Sequence, residues 1–338
     1  VHRVPLDGIV CRRMASLRRR HAVGMPSLLD RRLIVVTGKG GVGKTTIAGA
    51  LGVLAAGLGR RAIVVEVGRH RRLPAMLGYE QPADSGRAVE LGEGLSSLSI
   101  DPDRVLADWL RALGGRVSAR VLMSSSTFQH FVAAAPGARE ILSMVKVYEL
   151  TEERDGSPGR GRRRARGAPD LVILDAPATG HALAMLSSPQ TFAALARVGP
   201  IASQSRHVSE LLRDPARTGY VAVAQGTEMA VSETLQLRAG LHEQLGQELD
   251  AVVVNSTLPR RFDEPERRLI AGIDADHPAV RSAVLAAAAV HERARVQHNQ
   301  IARLRRRGLR VLGVPFLFQA ELDRAALERI ATRLRRGL

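Results

Sequence analysis

Short runs of apolar and β-branched residues punctuate the chain at 33–37 (LIVVT), 62–67 (AIVVEV), 171–175 (LVILD), 219–224 (GYVAVA), 251–254 (AVVV) and 310–314 (RVLGV). Runs this short and this uniformly apolar predict strands buried on both faces, and the segments between them carry apolar residues at helical spacing. The alternation predicts an α/β domain on a doubly wound, mainly parallel sheet. A weaker strand at 97–100 (SLSI) leads into Asp101 and Pro102, which suit a helix start, with Leu106, Trp109 or Leu110, Leu113 and Val117 along one side. From 116 to 150 there is no strand pattern, while Val117, Val121, Leu122, Phe128, Phe131, Val132, Ile141, Met144, Val145 and Val147 recur at helical spacing. A helical subdomain inserted at about 101–150 is expected. The tail 321–338 sets Leu327, Ile330 and Leu334 against arginines, which predicts a final helix packed on the sheet, with a helix lying on anionic lipid as the alternative.

The first strand runs into Gly38-Lys39-Gly40-Gly41-Val42-Gly43-Lys44-Thr45-Thr46, and a helical pattern follows from Ile47 to Leu58. This satisfies GxxxxGK(S/T) in the strand–loop–helix context that gives the motif meaning. Glycines let successive backbone N–H groups converge on phosphate oxygens, and the helix N-terminus adds a favourable dipole. Lys44 is expected on the β and γ phosphates and the Thr45 hydroxyl on Mg²⁺, so the cofactors predicted are ATP and Mg²⁺. Asp175 ends a buried strand, where an ionised carboxylate is costly unless paired or bound to a cation; holding Mg²⁺ through water is its expected role.

Charge changes this picture less than its size implies. The 338 residues carry a formal charge of +17, yet residues 1–24 contribute +5 and 151–169 contribute +3. Both segments read as unstructured, the first as a disordered extension or over-called start ahead of Met25 and the second as a solvated loop. Aromatics that would stack on bases are missing from the arginine run at 160–166, so no nucleic-acid partner is expected. Of the 50 basic residues only Lys39, Lys44 and Lys146 are lysines, and two of these stand in the phosphate loop. A point charge on a flexible stem suits a phosphate there better than a planar fork. Cys11 is the single cysteine, which excludes a disulfide framework and a thiolate cluster for a soft metalloid or zinc. With no long apolar run and no secretory pattern, a cytoplasmic protein is expected, with peripheral association with a membrane as the alternative.

Lys39, near the loop's start, resembles the signature lysine of the deviant Walker A class, in which it reaches the nucleotide of a partner subunit. From about residue 31 to the C-terminus the chain resembles the ArsA family of anion-transporting ATPases, which includes the arsenite-pump ATPase and the GET-pathway ATPase. Leu174-Asp175-Ala176-Pro177-Ala178-Thr179-Gly180-His181 is similar to the family's switch II, with His181 as its switch histidine. The resemblance implies an ATP-hydrolysing dimer, either a homodimer or a heterodimer with a paralogous ATPase, acting on a hydrophobic protein client or a membrane component. It implies Lys39, Lys44 and Asp175 as catalytic residues. Asn255 is implied as the adenine reader, with Pro315 and Phe316 lining the base. PGAREILSMVKVYEL at 136–150 is similar to a helix of the family's client-binding subdomain, although such spacing also fits a core helix. In switch I the family places an aspartate that orients the attacking water, and here Gly68 holds that position. The nearest acid is Glu66, two residues earlier, whose direction strand alternation leaves open. Weak intrinsic hydrolysis is therefore expected, and a regulatory subunit beside an active paralogue is the competing reading.

Overall fold

The computed structural model describes residues 27–68, 71–79, 86–92, 94–108, 137–152, 168–195, 200–274 and 276–338. The 1–24 extension, most of the 101–150 insertion and most of the 151–169 loop lie outside the described residues. In chain order the elements are β1 (Leu33–Gly38), α1 (Lys44–Gly57), β2 (Ala62–Val67), α2 (Arg72–Met76), β3 (Val89–Glu90), β4 (Leu95–Ile100), α3 (Ala138–Glu152), β5 (Leu171–Ala178) and α4 (Thr179–Leu195). They continue with α5 (Pro200–Arg213), β6 (Thr218–Gln225), α6 (Glu228–Leu245), β7 (Ala251–Thr257), α7 (Glu264–Ala271), α8 (Pro278–Arg306), β8 (Val311–Pro315) and α9 (Arg324–Arg335).

The strands form one sheet in the order β3-β4-β2-β5-β1-β6-β7-β8. Every pairing is parallel except β3 with β4. The doubly wound α/β fold expected from the pattern is thus present, with the phosphate-loop strand β1 between β5 and β6. Alternation along β1 explains why both faces must be covered. Leu33 and Val35 point into the core beneath α3, α4, α5, α6 and α8, while Ile34 and Val36 join the core beneath α1 and α9. All four are fully buried.

The apolar side of α9 is spent on this second face. Leu327 and Leu334 are fully buried, and Leu327 lies close enough to α1 that a Cβ on Gly49 would approach it within 3.2 Å. The packed-helix expectation holds, and no apolar side is left over for lipid. In α3, Ile141, Met144, Val145 and Val147 are all buried in the first core, so their spacing marks a core helix. Lys146 projects outward and pairs with Glu149 at 3.0 Å. By contrast, α7 buries no residue and α8 buries only Ala294, Ile301 and Leu304, all in its second half. No helix among the described residues is long and apolar enough to cross a membrane.

Candidate functional site

The site forms where β1, β5 and β2 end side by side. Gly43 enters α1 with φ +92°, and a Cβ there would sit 2.3 Å from the Asn255 amide nitrogen, so glycine is required by both backbone and space. With glycine as N-cap, no side chain caps α1. The amides of its first turn remain free to meet an anion, and the helix dipole adds to the attraction.

A cavity of about 520 Å³ opens over these amides, lined by Gly40, Gly41, Gly43, Lys44, Thr45 and Thr46 from the loop and by Asp175 to Ala178 from β5. Its remaining wall is Glu66, Val67, Gly68, Arg72 and Met76. Lys44 Nζ folds back to donate to the Lys39 carbonyl at 3.1 Å. Burial lowers the Lys44 pKa, with Asp175 partly offsetting this, so the ammonium is poorly compensated and would gain from an added anion. The Thr45 hydroxyl donates to Asp175 Oδ2 at 2.6 Å. Asp175 Oδ1 is buried without a partner, and burial pushes the carboxyl pKa up despite Thr45 and Lys44. A carboxylate oxygen with no partner, beside a hydroxyl and on a residue that lines the cavity, has the chemistry to suit a hard divalent cation.

Gly38, Lys39 and Val42 of the loop do not line this cavity. Lys39 does not reach toward the cavity. Its Nζ pairs with Glu233 Oε1 on α6 of the same chain at 2.7 Å. Asn255, at the end of β7, donates from Nδ2 to the Val42 carbonyl at 3.0 Å while its Oδ1 accepts from the Ser256 N–H. The amide that the resemblance implies as the adenine reader therefore braces the phosphate loop. Pro315 and Phe316 lie at the end of β8, next to β7, and the Phe316 N–H donates to Thr257 at 2.9 Å. The half-exposed Phe316 ring meets Phe318 edge to face at 4.9 Å. His181, in the first turn of α4, is exposed.

In the segment that resembles switch I, the sheet register sets Glu66 opposite Asp175. Glu66 is buried and faces the cavity, but Oε1 accepts the Arg72 N–H at 2.9 Å and Oε2 the Leu73 N–H at 3.3 Å. Burial raises its pKa and these two amides oppose the rise. Both oxygens are thus engaged in holding the start of α2, which argues against Glu66 as the substitute water-orienting acid. Gly68 has φ +130° with nothing within 4 Å of where a Cβ would stand. Sequence reasoning did not single out Arg72 or Glu233. The arginine was hidden in the run 68–72 (GRHRR), and Glu233 is separated from Lys39 by 194 positions.

A glycine-rich loop between the central strand and a helix of a parallel sheet, with an aspartate on the neighbouring strand, defines a P-loop nucleotide-binding domain. The sequence profile of the anion-transporting ATPases matches residues 31–199, and the chain belongs to that family of ATPases. It is 29% identical over 275 residues to the ATPase BagA of Mycobacterium tuberculosis H37Rv, covering 79% of this chain and 77% of that protein. It is 26% identical over 290 residues to the ATPase GET3C of Arabidopsis thaliana, covering 71% and 70%. A putative arsenical pump-driving ATPase of Halobacterium salinarum is 25% identical over 252 residues, which cover 70% of this chain and 37% of that longer protein.

Proposed function

We infer that the protein is a cytoplasmic, Mg²⁺-dependent ATP switch that works as a dimer and couples its nucleotide state to a protein or membrane partner. The observation that carries the reading is the Thr45–Asp175 pair with its unpartnered Oδ1, set beside the poorly compensated Lys44 at the N-terminus of α1. Lys44 and the α1 amides would take the phosphates, and Thr45 and Asp175 would hold Mg²⁺, the first directly and the second through water. Bound there, the cation would offset charge on the transferring phosphoryl group. Lys39 would serve the partner subunit's nucleotide after exchanging its Glu233 pair for phosphate. Asn255 and Phe316 would meet the base. The single cysteine, Cys11, argues against a thiolate site for arsenite, whatever the name of the halobacterial relative.

A specific observation favours the second reading, a weakly hydrolysing subunit beside an active paralogue. Gly68 offers no side chain to a water, and Glu66 spends both oxygens on α2. ATPase rate measured together with native mass, for the chain alone and copurified with its cellular partners, separates the two. Robust turnover by a homodimer supports the switch; turnover only in a mixed assembly supports the regulatory subunit. Gly68→Asp tests the missing carboxylate directly. Its Cβ has room, but the left-handed backbone makes an aspartate cost about 1–2 kcal/mol. The expected result is faster hydrolysis at a slightly lower melting temperature, and an unchanged rate in folded protein rejects Gly68 as the limiting position.

A further inference from the structure

The cavity holds one cation that the phosphate-loop motif does not supply. After β2 the chain re-enters regular structure at Arg72, and the N-cap residue Arg71 makes no side-chain cap to α2. The buried Glu66 carboxylate does that work instead, taking the Arg72 and Leu73 N–H groups. Leu73 is fully buried and packs toward α1, where a Cβ on Gly49 would meet it at 2.6 Å. The Arg72 backbone is therefore fixed from two sides, while its side chain is exposed and lines the cavity with Lys44, Thr45 and Asp175. Among the described residues no carboxylate or carbonyl holds its guanidinium.

Strand order tells which phosphate this cation would meet. The proposed base residues lie to one side of the loop strand β1, Asn255 near the end of β7 and Phe316 just after β8. On the other side come β5 with Asp175 and then β2 with Glu66 and Arg72. A nucleotide whose base lies toward β7 and whose phosphates cross the loop must point its last phosphate toward β2. The Arg72 charge is felt there already: it lowers the Lys44 pKa and favours ionised Glu66 and Asp175.

We propose that Arg72 reads the terminal phosphate, its guanidinium bonding γ-phosphate oxygens so that the site tells a nucleoside triphosphate from a diphosphate. A planar fork that never loses its charge suits two oxygens of one phosphate. The proposal rests on the nucleotide reading above. The test is calorimetric titration of the full chain with ADP and with a non-hydrolysable ATP analogue, both with Mg²⁺, comparing the parent with Arg72→Ala and Arg72→Lys. Arg72→Ala is expected to weaken the triphosphate about 10- to 100-fold and ADP less than about threefold, with Arg72→Lys between parent and alanine. Equal losses for both nucleotides, or no loss in a variant with an unchanged melting temperature, overturn the role of Arg72 and leave the nucleotide site standing. If the parent itself binds neither nucleotide, the site assignment fails along with this proposal. Should Arg72→Ala lower the melting temperature, Arg72→Gln is titrated in its place under the same criteria.

Discussion

The two ends of the site are built differently. At the β1–β5–β2 end, the groups suited to a phosphate chain are gathered round one cavity and fixed in place: α1 amides under a glycine cap, the half-buried Lys44 and Thr45–Asp175 pair, and the exposed Arg72, whose backbone N–H is held by Glu66. At the β7–β8 end, the groups suited to a base are exposed or engaged elsewhere, Phe316 against Phe318 and Asn255 on the Val42 carbonyl. The phosphate end stores its cost in advance as partly desolvated, poorly compensated charge and an orphan oxygen, so a ligand would release that cost on binding. The base end stores no such cost: in the proposed role the Asn255 amide would divide itself between the Val42 carbonyl and a purine edge. Tight binding is therefore expected to come from the phosphates and only modest selectivity from the base.

The sharpest way to break this contrast is Lys44→Ala, which is expected to weaken Mg·ATP by about 100-fold or more in calorimetric titration. Unaltered affinity would show that the loop is not the phosphate site. Next comes Asp175→Asn. Because burial raises the Asp175 pKa above its ordinary 3.8, the folded chain holds that proton to higher pH than the unfolded chain does. Its ionisation therefore costs stability as pH rises above that value. The ligand-free Asn variant is expected to melt a few degrees higher than the parent at pH 7, with the gap closing near pH 4, and to lose the extra stabilisation that Mg²⁺ adds to nucleotide. Thermal melts at the two pH values check this, and a variant still stabilised by Mg²⁺ would remove Asp175 from the cation site. The smallest expected effect is Asn255→Ala, about tenfold or less in ATP affinity with a reduced preference for ATP over GTP. A loss as large as that of Lys44→Ala would mean that bracing the loop, not reading the base, is the main work of this amide.

Most of the sheet was legible because its signal is local. Buried strands must be apolar on both faces, so seven of the eight, all but β3, announced themselves as short apolar runs. The missing one, β3, is two residues long with one of them exposed, and no run that short has a period to read. Phosphate-loop residues were legible for the same reason, since all lie between β1 and the first turn of α1. Switch I was not. Whether Glu66 faced the cavity depended on its register with Asp175, which is more than 100 residues away in sequence. The partner of Lys39 was equally hidden, because α6 comes beside the loop only once the sheet is assembled.

Sequence alone determined the doubly wound fold, the phosphate loop, the poverty of thiols and the absence of an aspartate at position 68, because each is a property of residues close together in the chain. Tertiary structure decided that Glu66 caps α2 instead of facing a water, that Asn255 braces the loop, that the amphipathic tail covers α1, and that Arg72 looks into the cavity. Those outcomes depend on which strand lies beside which and on what competes for each hydrogen-bonding group, and neither is encoded in any one segment.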